Sequence, residues 1–200
     1  PWQGDIKITV VTDLDEEWTL ALRIPEWSGQ PVLEAGDAEI WEDRGYLYVR
    51  KKWNANGHLD LSLPMKPVLM EAHPGVRKAA IQYGPLVYCV EEEDNDGDLF
   101  DCILTGNSRL EAGFEENLLG GICTIQVQGI RRNREQWKGR LYQPVSRRYF
   151  EPVKLKAVPY YAWANRGAGK MNVWMNHIPD MEHRENEGTD KDKADRGKIR

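Results

Sequence analysis

The chain has 200 residues, 40% hydrophobic and 30% charged, with a formal net charge of −5 and three cysteines. That is enough chain for a real core in one large domain or two small ones, and without a basic concentration in its foldable part nucleic acid is excluded as a main partner. No apolar run nears the ~20 residues of a spanning helix, so no membrane partner is expected, and Cys89, Cys102 and Cys123 form neither a C-x-x-C pair nor an even-numbered disulfide framework.

In chain order, Ile6, Ile8 and Val10 alternate with polar residues, as do Trp18, Leu20, Leu22 and Ile24 until Pro25. Both runs read as half-buried strands. Tyr46 to Trp53 is another, with Leu47 and Val49 set against Tyr46, Tyr48 and Arg50. It meets the turn Asn54-Ala55-Asn56-Gly57, after which Leu59, Leu61 and Leu63 alternate until Pro64. This predicts an antiparallel hairpin. Strands and turns at short intervals, with no helical stretch, point to a β-sandwich. The start at Pro1, almost directly in a strand, reads as a fragment, with the first sandwich short of strands at its beginning.

His73-Pro74-Gly75 is the expected internal boundary. Beyond it, Ala79 to Glu91 is a β run broken by Gly84-Pro85, and Glu91 to Asp98 is an acidic loop. Cys123, Ile125 and Val127 alternate, as do Val153, Leu155 and Ala157, and residues 131–150 between them read as a long basic, aromatic loop or irregular hairpin. Residues 180–200 hold almost nothing apolar and are expected to be disordered. The expectation is therefore all-β, with two consecutive antiparallel jelly-roll-like sandwiches over residues 1–72 and 73–179 and a polar tail over 180–200.

The stretch YYAWANRGAGKM, Tyr160 to Met171, invites a nucleotide reading. A phosphate loop needs glycine where Ala164 stands, a hydroxyl where Met171 stands, and a helix to follow. Met171, Val173 and Met175 instead alternate with Asn172, Trp174 and Asn176, so the stretch reads as a glycine turn joining two strands. On that reading Gly167 and Gly169 supply positive φ, Lys170 lies at the surface, and Trp163 and Trp174 are core residues. Glu92, Asp94, Asp96 and Gly97 fit the first half of a calcium loop, but Ile103 stands where a bidentate Glu is required, which leaves a solvated turn. Cys89 and Cys123 read as small buried hydrophobes, while Cys102 is ambiguous. His58, His73, His177 and His183 form no ligand pair at helical spacing. There is no G-x-S-x-G elbow, and no carboxylate sits where a raised pKa is expected. Eight Trp and eight Tyr against three Phe suit sheet cores, domain interfaces or sugar platforms. No catalytic, cofactor-binding or metal-binding residue is assigned.

Four segments resemble a known family: LALRIPEWS (Leu20–Ser28), LPMKPVLMEAHPGVR (Leu63–Arg77), AIQYGPLVYCVEEEDNDGDL (Ala80–Leu99) and AVPYYAWANRGAGKMNVWM (Ala157–Met175). They are similar to the carboxy-terminal region of bacterial β-L-arabinofuranosidases of glycoside hydrolase family 127. The resemblance implies an amino-terminal (α/α)₆ barrel followed by two β-sandwiches. It places in the barrel a zinc-bound cysteine thiolate as nucleophile and a glutamate as acid/base, acting with retention. The zinc motifs, Glu-x-Cys and Cys-Cys, do not occur in this sequence. The resemblance therefore implies an accessory region with no cofactor of its own, zinc being expected in the barrel, which is also the implied partner within the same chain. The alternative reading is a stand-alone carbohydrate-binding module. Carbohydrate and a second copy of the chain stand as further candidate partners. Localisation is left open, with the cytoplasm as the default.

Overall fold

The computed structural model describes residues 2–13, 15–54, 57–73, 75–137 and 139–179. The tail read as disordered, and His183 within it, lie outside them. Among the described residues the only helices are short 3₁₀ turns, and the rest of the regular structure is strand.

The first six strands form two three-stranded antiparallel sheets. They are β1 (Asp5–Val10), β2 (Glu17–Arg23), β3 (Val32–Glu34), β4 (Glu39–Asp43), β5 (Tyr46–Lys52) and β6 (Gly57–Ser62). One sheet has the order β1-β6-β3 and the other β2-β5-β4. Period-two alternation directs Leu47, Val49, Leu59 and Leu61 into the space between the sheets, where Ile8, Val10, Trp18, Leu20, Leu22 and Leu33 complete the core. β4 and β5 form a tight hairpin through Arg44 and Gly45, at φ 50° and 78°, a left-handed pair matched to strand twist.

The hairpin expected from β5 to β6 does not form. β5 pairs with β2 and β4, while β6 pairs with β1 and β3, so the chain crosses from one sheet to the other at this turn. The cause is Trp53, which is fully buried. Its indole stacks on Trp18 at 4.8 Å and its Nε1–H donates to the Trp18 carbonyl at 2.8 Å. The ring fills the space that a hairpin would need, and Gly57 passes over it so closely that a Cβ would lie 2.9 Å from Cε3.

Nine strands make the second unit. They are β7 (Pro67–Glu71), β8 (Lys78–Tyr83), β9 (Leu86–Glu91), β10 (Cys102–Thr105), β11 (Leu110–Glu115), β12 (Ile122–Arg132), β13 (Phe150–Pro159), β14 (Met171–Asn172) and β15 (Met175–Ile178). Six of them close a ring in the order β8-β9-β13-β12-β10-β15, because β15 also pairs with β8. Every pairing is antiparallel except β10 with β15. Inside the ring lie Ile81, Tyr88, Val90, Leu99, Leu104, Ile125, Val127, Leu155 and Met175. The basic segment does loop as expected, since β12 and β13 pair as far as Arg132 opposite Phe150.

Two further expectations shift. β7 lies before His73 yet pairs with β8, so the change of sheet system falls between β6 and β7. The strand expected over Met171–Asn176 is two short strands on different neighbours, β14 on β9 and β15 on β8 and β10.

The chain's opening ties the two units together. Trp2 packs on a cluster of Cys89, Ile122, Val158 and Ala162 on the outside of the ring. Gly4 then lies directly on the last strand of the first unit, its carbonyl accepting from the Leu63 N–H at 2.9 Å. A Cβ at Gly4 would stand 1.8 Å from the Leu63 carbonyl oxygen, a backbone atom that cannot step aside. Gly4→Ala is expected to destabilise by roughly 1–3 kcal/mol, as overpacking does. An unchanged urea midpoint would show that this approach is not tight.

Candidate functional site

The acidic turn after β9 is only partly solvated: Glu92, Glu93 and Asp96 are exposed as expected. Asp94 and Asn95 point inward, and they meet Arg166 and Lys156 from distant parts of the chain. Arg166 grips Asp94 with both guanidinium ends, Nη1 donating to Oδ1 at 2.8 Å and Nη2 to Oδ2, while the same Nη2 also donates to Glu91 Oε2. Lys156 bridges onward, 3.7 Å from Asp94 and 2.7 Å from Glu115. The Thr124 hydroxyl donates to the other Glu115 oxygen at 2.7 Å. Beneath these charges Asn95 acts as a substitute strand residue. Its amide donates to the carbonyls of Glu91 and Lys156, and its Oδ1 accepts from the Lys156 N–H at 2.8 Å. Asp94 with Arg166 has the planar two-bond geometry for which arginine is suited.

The electrostatics follow from this packing. Burial would push the Asp94 carboxyl up, but Arg166 and then Lys156 outweigh it and hold it below its ordinary value. Lys156, against some burial, likewise lowers Glu115. Asp94 pulls the Arg166 guanidinium up and fixes its charge. Cys89, buried beside Glu91, is pushed up to about 12 and stays a thiol at neutral pH. A general acid needs a raised carboxyl and a nucleophile needs a lowered thiol. Asp94, Glu115 and Cys89 are shifted the opposite way, which suits a cluster that holds position.

What it positions is the segment Tyr160–Arg166. After a 3₁₀ turn over Tyr160–Ala162, the Ala164 N–H donates to Glu91 Oε1 at 2.9 Å, and Arg166 closes the loop against Glu91 and Asp94. Ala164 takes the left-handed conformation at φ 61°, whereas Gly167 and Gly169 do not, contrary to expectation. The ion pairs on Glu91 and Asp94 hold a backbone that sequence alone assigned to glycine freedom. Lys170 is exposed, 3.8 Å from Glu92.

Clamped in this way, the segment turns its aromatic rings outward. Trp163 is 41% exposed and Trp174 48%, so neither is the core residue expected. Tyr160 stacks on Trp163 at 6.3 Å and 9°, and Trp2 lies 6.4 Å from Tyr161. The result is an aromatic surface at the junction of the two units, built from Trp2, Tyr160, Tyr161 and Trp163. Trp163→Ala is expected to destabilise by only about 1 kcal/mol, the scale of a surface aromatic pair. A urea-midpoint loss equivalent to ~3–5 kcal/mol, as for a core ring, would contradict that placement.

The other residues singled out by sequence do not converge. Cys89, Cys102 and Cys123 are buried free thiols, and Cys102 accepts from Arg131 Nε at 3.5 Å. His177 is buried with Nδ1 3.8 Å from Glu71, while His58 and His73 lie elsewhere. Among the described residues no group of three or more His, Cys, Asp or Glu is placed to hold a metal ion. Arg166, the centre of the site, carried no local signal beyond its place in the ANRG motif, because its partners lie 72 and 75 positions away.

Residues 67–176 match the glycoside hydrolase family 127 C-terminal domain, and residues 1–65 match the β-L-arabinofuranosidase, GH127 middle domain. The chain is 33% identical to the non-reducing end β-L-arabinofuranosidase of Bifidobacterium longum subsp. longum over 87% of its own length and 29% of that protein's. Its fold is similar to that of a GH127 β-L-arabinofuranosidase from Geobacillus stearothermophilus T6, with a TM-score of 0.81 at 37% identity, over 89% of this chain and 29% of that one. A GH127 β-arabinofuranosidase matches at TM-score 0.71 and 25% identity, over 89% of this chain and 30% of that one. The chain thus spans less than a third of the length of each of these relatives.

Proposed function

The chain belongs to glycoside hydrolase family 127, and from that premise we propose that it is the non-catalytic β region of an enzyme that releases L-arabinofuranose from β-L-arabinofuranosides. In this reading an (α/α)₆ barrel carries the zinc, the thiolate and the acid/base of a retaining mechanism, and this chain supports it. The residues described here do not fit zinc, since no three donors converge, so no step of the reaction is assigned to them. The observation that carries the reading is the outward aromatic surface at the junction of the units, held by the Arg166 ion pairs to Glu91 and Asp94. Exposed Tyr and Trp on a rigid frame are the composition of a surface that becomes covered by another folded body.

The test has two parts. The coding sequence before Pro1 is expected to encode a barrel with Glu-x-Cys and Cys-Cys. Joined to that barrel, the chain is expected to give a polypeptide that hydrolyses an aryl β-L-arabinofuranoside, while the chain alone does not. Turnover by the chain alone, abolished by changing one of its own residues, would overturn the reading. Equal activity and stability of the barrel with and without the chain would overturn the supporting role.

A further inference from the structure

The two units also meet along a cleft of about 630 Å³. Arg23, Glu26 and Trp27 of the first unit and Lys66 and Gln82 beside or within the second unit line it. Arg23, Glu26 and Lys66 form no ion pair or side-chain hydrogen bond with any described residue. Gln82 is oriented, because its Nε2 donates to the Gly84 carbonyl at 2.9 Å and leaves Oε1 as an acceptor. The cleft thus presents two cations against one carboxylate in a chain whose net charge is −5.

An aromatic row leads to its mouth. Arg23 stands opposite Tyr46 across the β2–β5 pair, on the outer face of that sheet. The same face carries Tyr48, 6.2 Å from Tyr46, and Trp41, which stacks on Tyr48 at 5.3 Å and 7°. Leu47 and Val49 point the other way into the core, which fixes these rings outward. Asp43 lies opposite Tyr46, and Arg50, the next residue on that face, is ion-paired with Glu17, so the row itself presents no unpaired cation. Only the cleft end suits a negative charge, which excludes a nucleic acid with a phosphate at every step.

We propose that this cleft and row bind an acidic oligosaccharide. A uronate carboxylate sits between Arg23 and Lys66, where a guanidinium can bind it with two hydrogen bonds. Sugar hydroxyls donate to Glu26 and to Gln82 Oε1. Neighbouring sugars lay their apolar C–H faces on Tyr46, Tyr48 and Trp41. A concave site between two structural units, with an oriented amide, unpaired charges and an aromatic row beside its edge, is the kind of place where such ligands bind. The inference goes beyond the supporting role proposed above, and it is tested on this chain's own residues without any barrel.

The experiment is calorimetric titration of the chain with trigalacturonate and with the neutral galactotriose of the same linkage. The acidic trisaccharide is expected to bind roughly tenfold tighter or more, the order of one charge-assisted contact, and to weaken as salt rises. Arg23→Ala and Lys66→Ala are each expected to remove most of that preference. Trp41→Ala is expected to weaken the acidic trisaccharide without changing the salt dependence. All three positions are at the surface, and an unchanged melting temperature for each variant ties the loss to the site. Equal binding of the two trisaccharides, no binding of either, or binding indifferent to Arg23 and Lys66 overturns the proposal.

Discussion

Arg166→Met is expected to destabilise the protein by roughly 3–5 kcal/mol at neutral pH, the range for removing one partner from a buried ion pair. The change keeps an unbranched side chain of similar length and removes only the charge and its donors. It leaves Glu91 and Asp94, which share the same Arg166 nitrogen, facing each other with side chains 7% and 10% exposed. Lys156, at 3.7 Å, is too distant from Asp94 to replace two direct hydrogen bonds. The clamp on Tyr160–Arg166 also opens, so the aromatic surface loses its fixed orientation along with the stability.

The pH dependence separates this from a packing defect. In the native protein the Asp94 carboxyl lies below its ordinary value. A depressed carboxylate contributes stability that is fully present above its unfolded pKa of about 3.9 and is lost as pH falls through the folded value. Without Arg166, burial and the Glu91 charge push Asp94 the other way. The deficit of Arg166→Met should then be full near pH 7 and shrink towards pH 4, as the stranded carboxylates take up protons. Urea unfolding of both proteins at the two pH values measures this. An equal deficit at both would refute the electrostatic account.

Where the sequence could be read and where it could not has a physical pattern. β2, β5 and β6 each bury one face, and a half-buried antiparallel strand displays itself as alternation, whereas β12 and β13 alternate over part of their length and bury both faces over the rest. Alternation is local, however, and says nothing of the neighbouring strand. β5 and β6 alternate identically whether they pair or sit in opposite sheets, and Trp53 decides between the two by occupying the interior. β4, with every residue exposed, has no alternation to display. The same limit hid the functional site. The run from Glu91 to Asp98 reads as solvated because acidic residues usually are, and the arginine that buries Asp94 arrives from a segment read as a turn. The motifs GPLVYC and YYAWANRG resemble a family signature, but the contact between their neighbourhoods, Glu91 with Arg166, appears only in three dimensions.

Trp53→Ala is expected to destabilise by roughly 3–5 kcal/mol, the range for emptying a buried aromatic site. The side chain is fully buried, and it supports three neighbours at once. It stacks on Trp18, donates to the Trp18 carbonyl, and carries Lys51 Nζ 4.8 Å from its ring centroid while that ammonium donates to the Ala35 carbonyl. Trp53→Phe divides the loss. It keeps most of the ring but removes the indole donor to the Trp18 carbonyl, which still faces Lys51 in the β2–β5 ladder, so the loss of that one hydrogen bond costs about 0.5–1.5 kcal/mol. The damage should also stay within the first unit. The core around Val49, Trp53 and Leu59 shares no member with the one around Ile81, Tyr88, Leu104 and Leu155. Hydrogen exchange on Trp53→Ala is therefore expected to show lost protection in β1, β2, β5 and β6, with protection in β8, β9, β12 and β13 near that of the native chain. Uniform loss across all eight strands would mean that Trp2 and Gly4 couple the two cores into one cooperative unit.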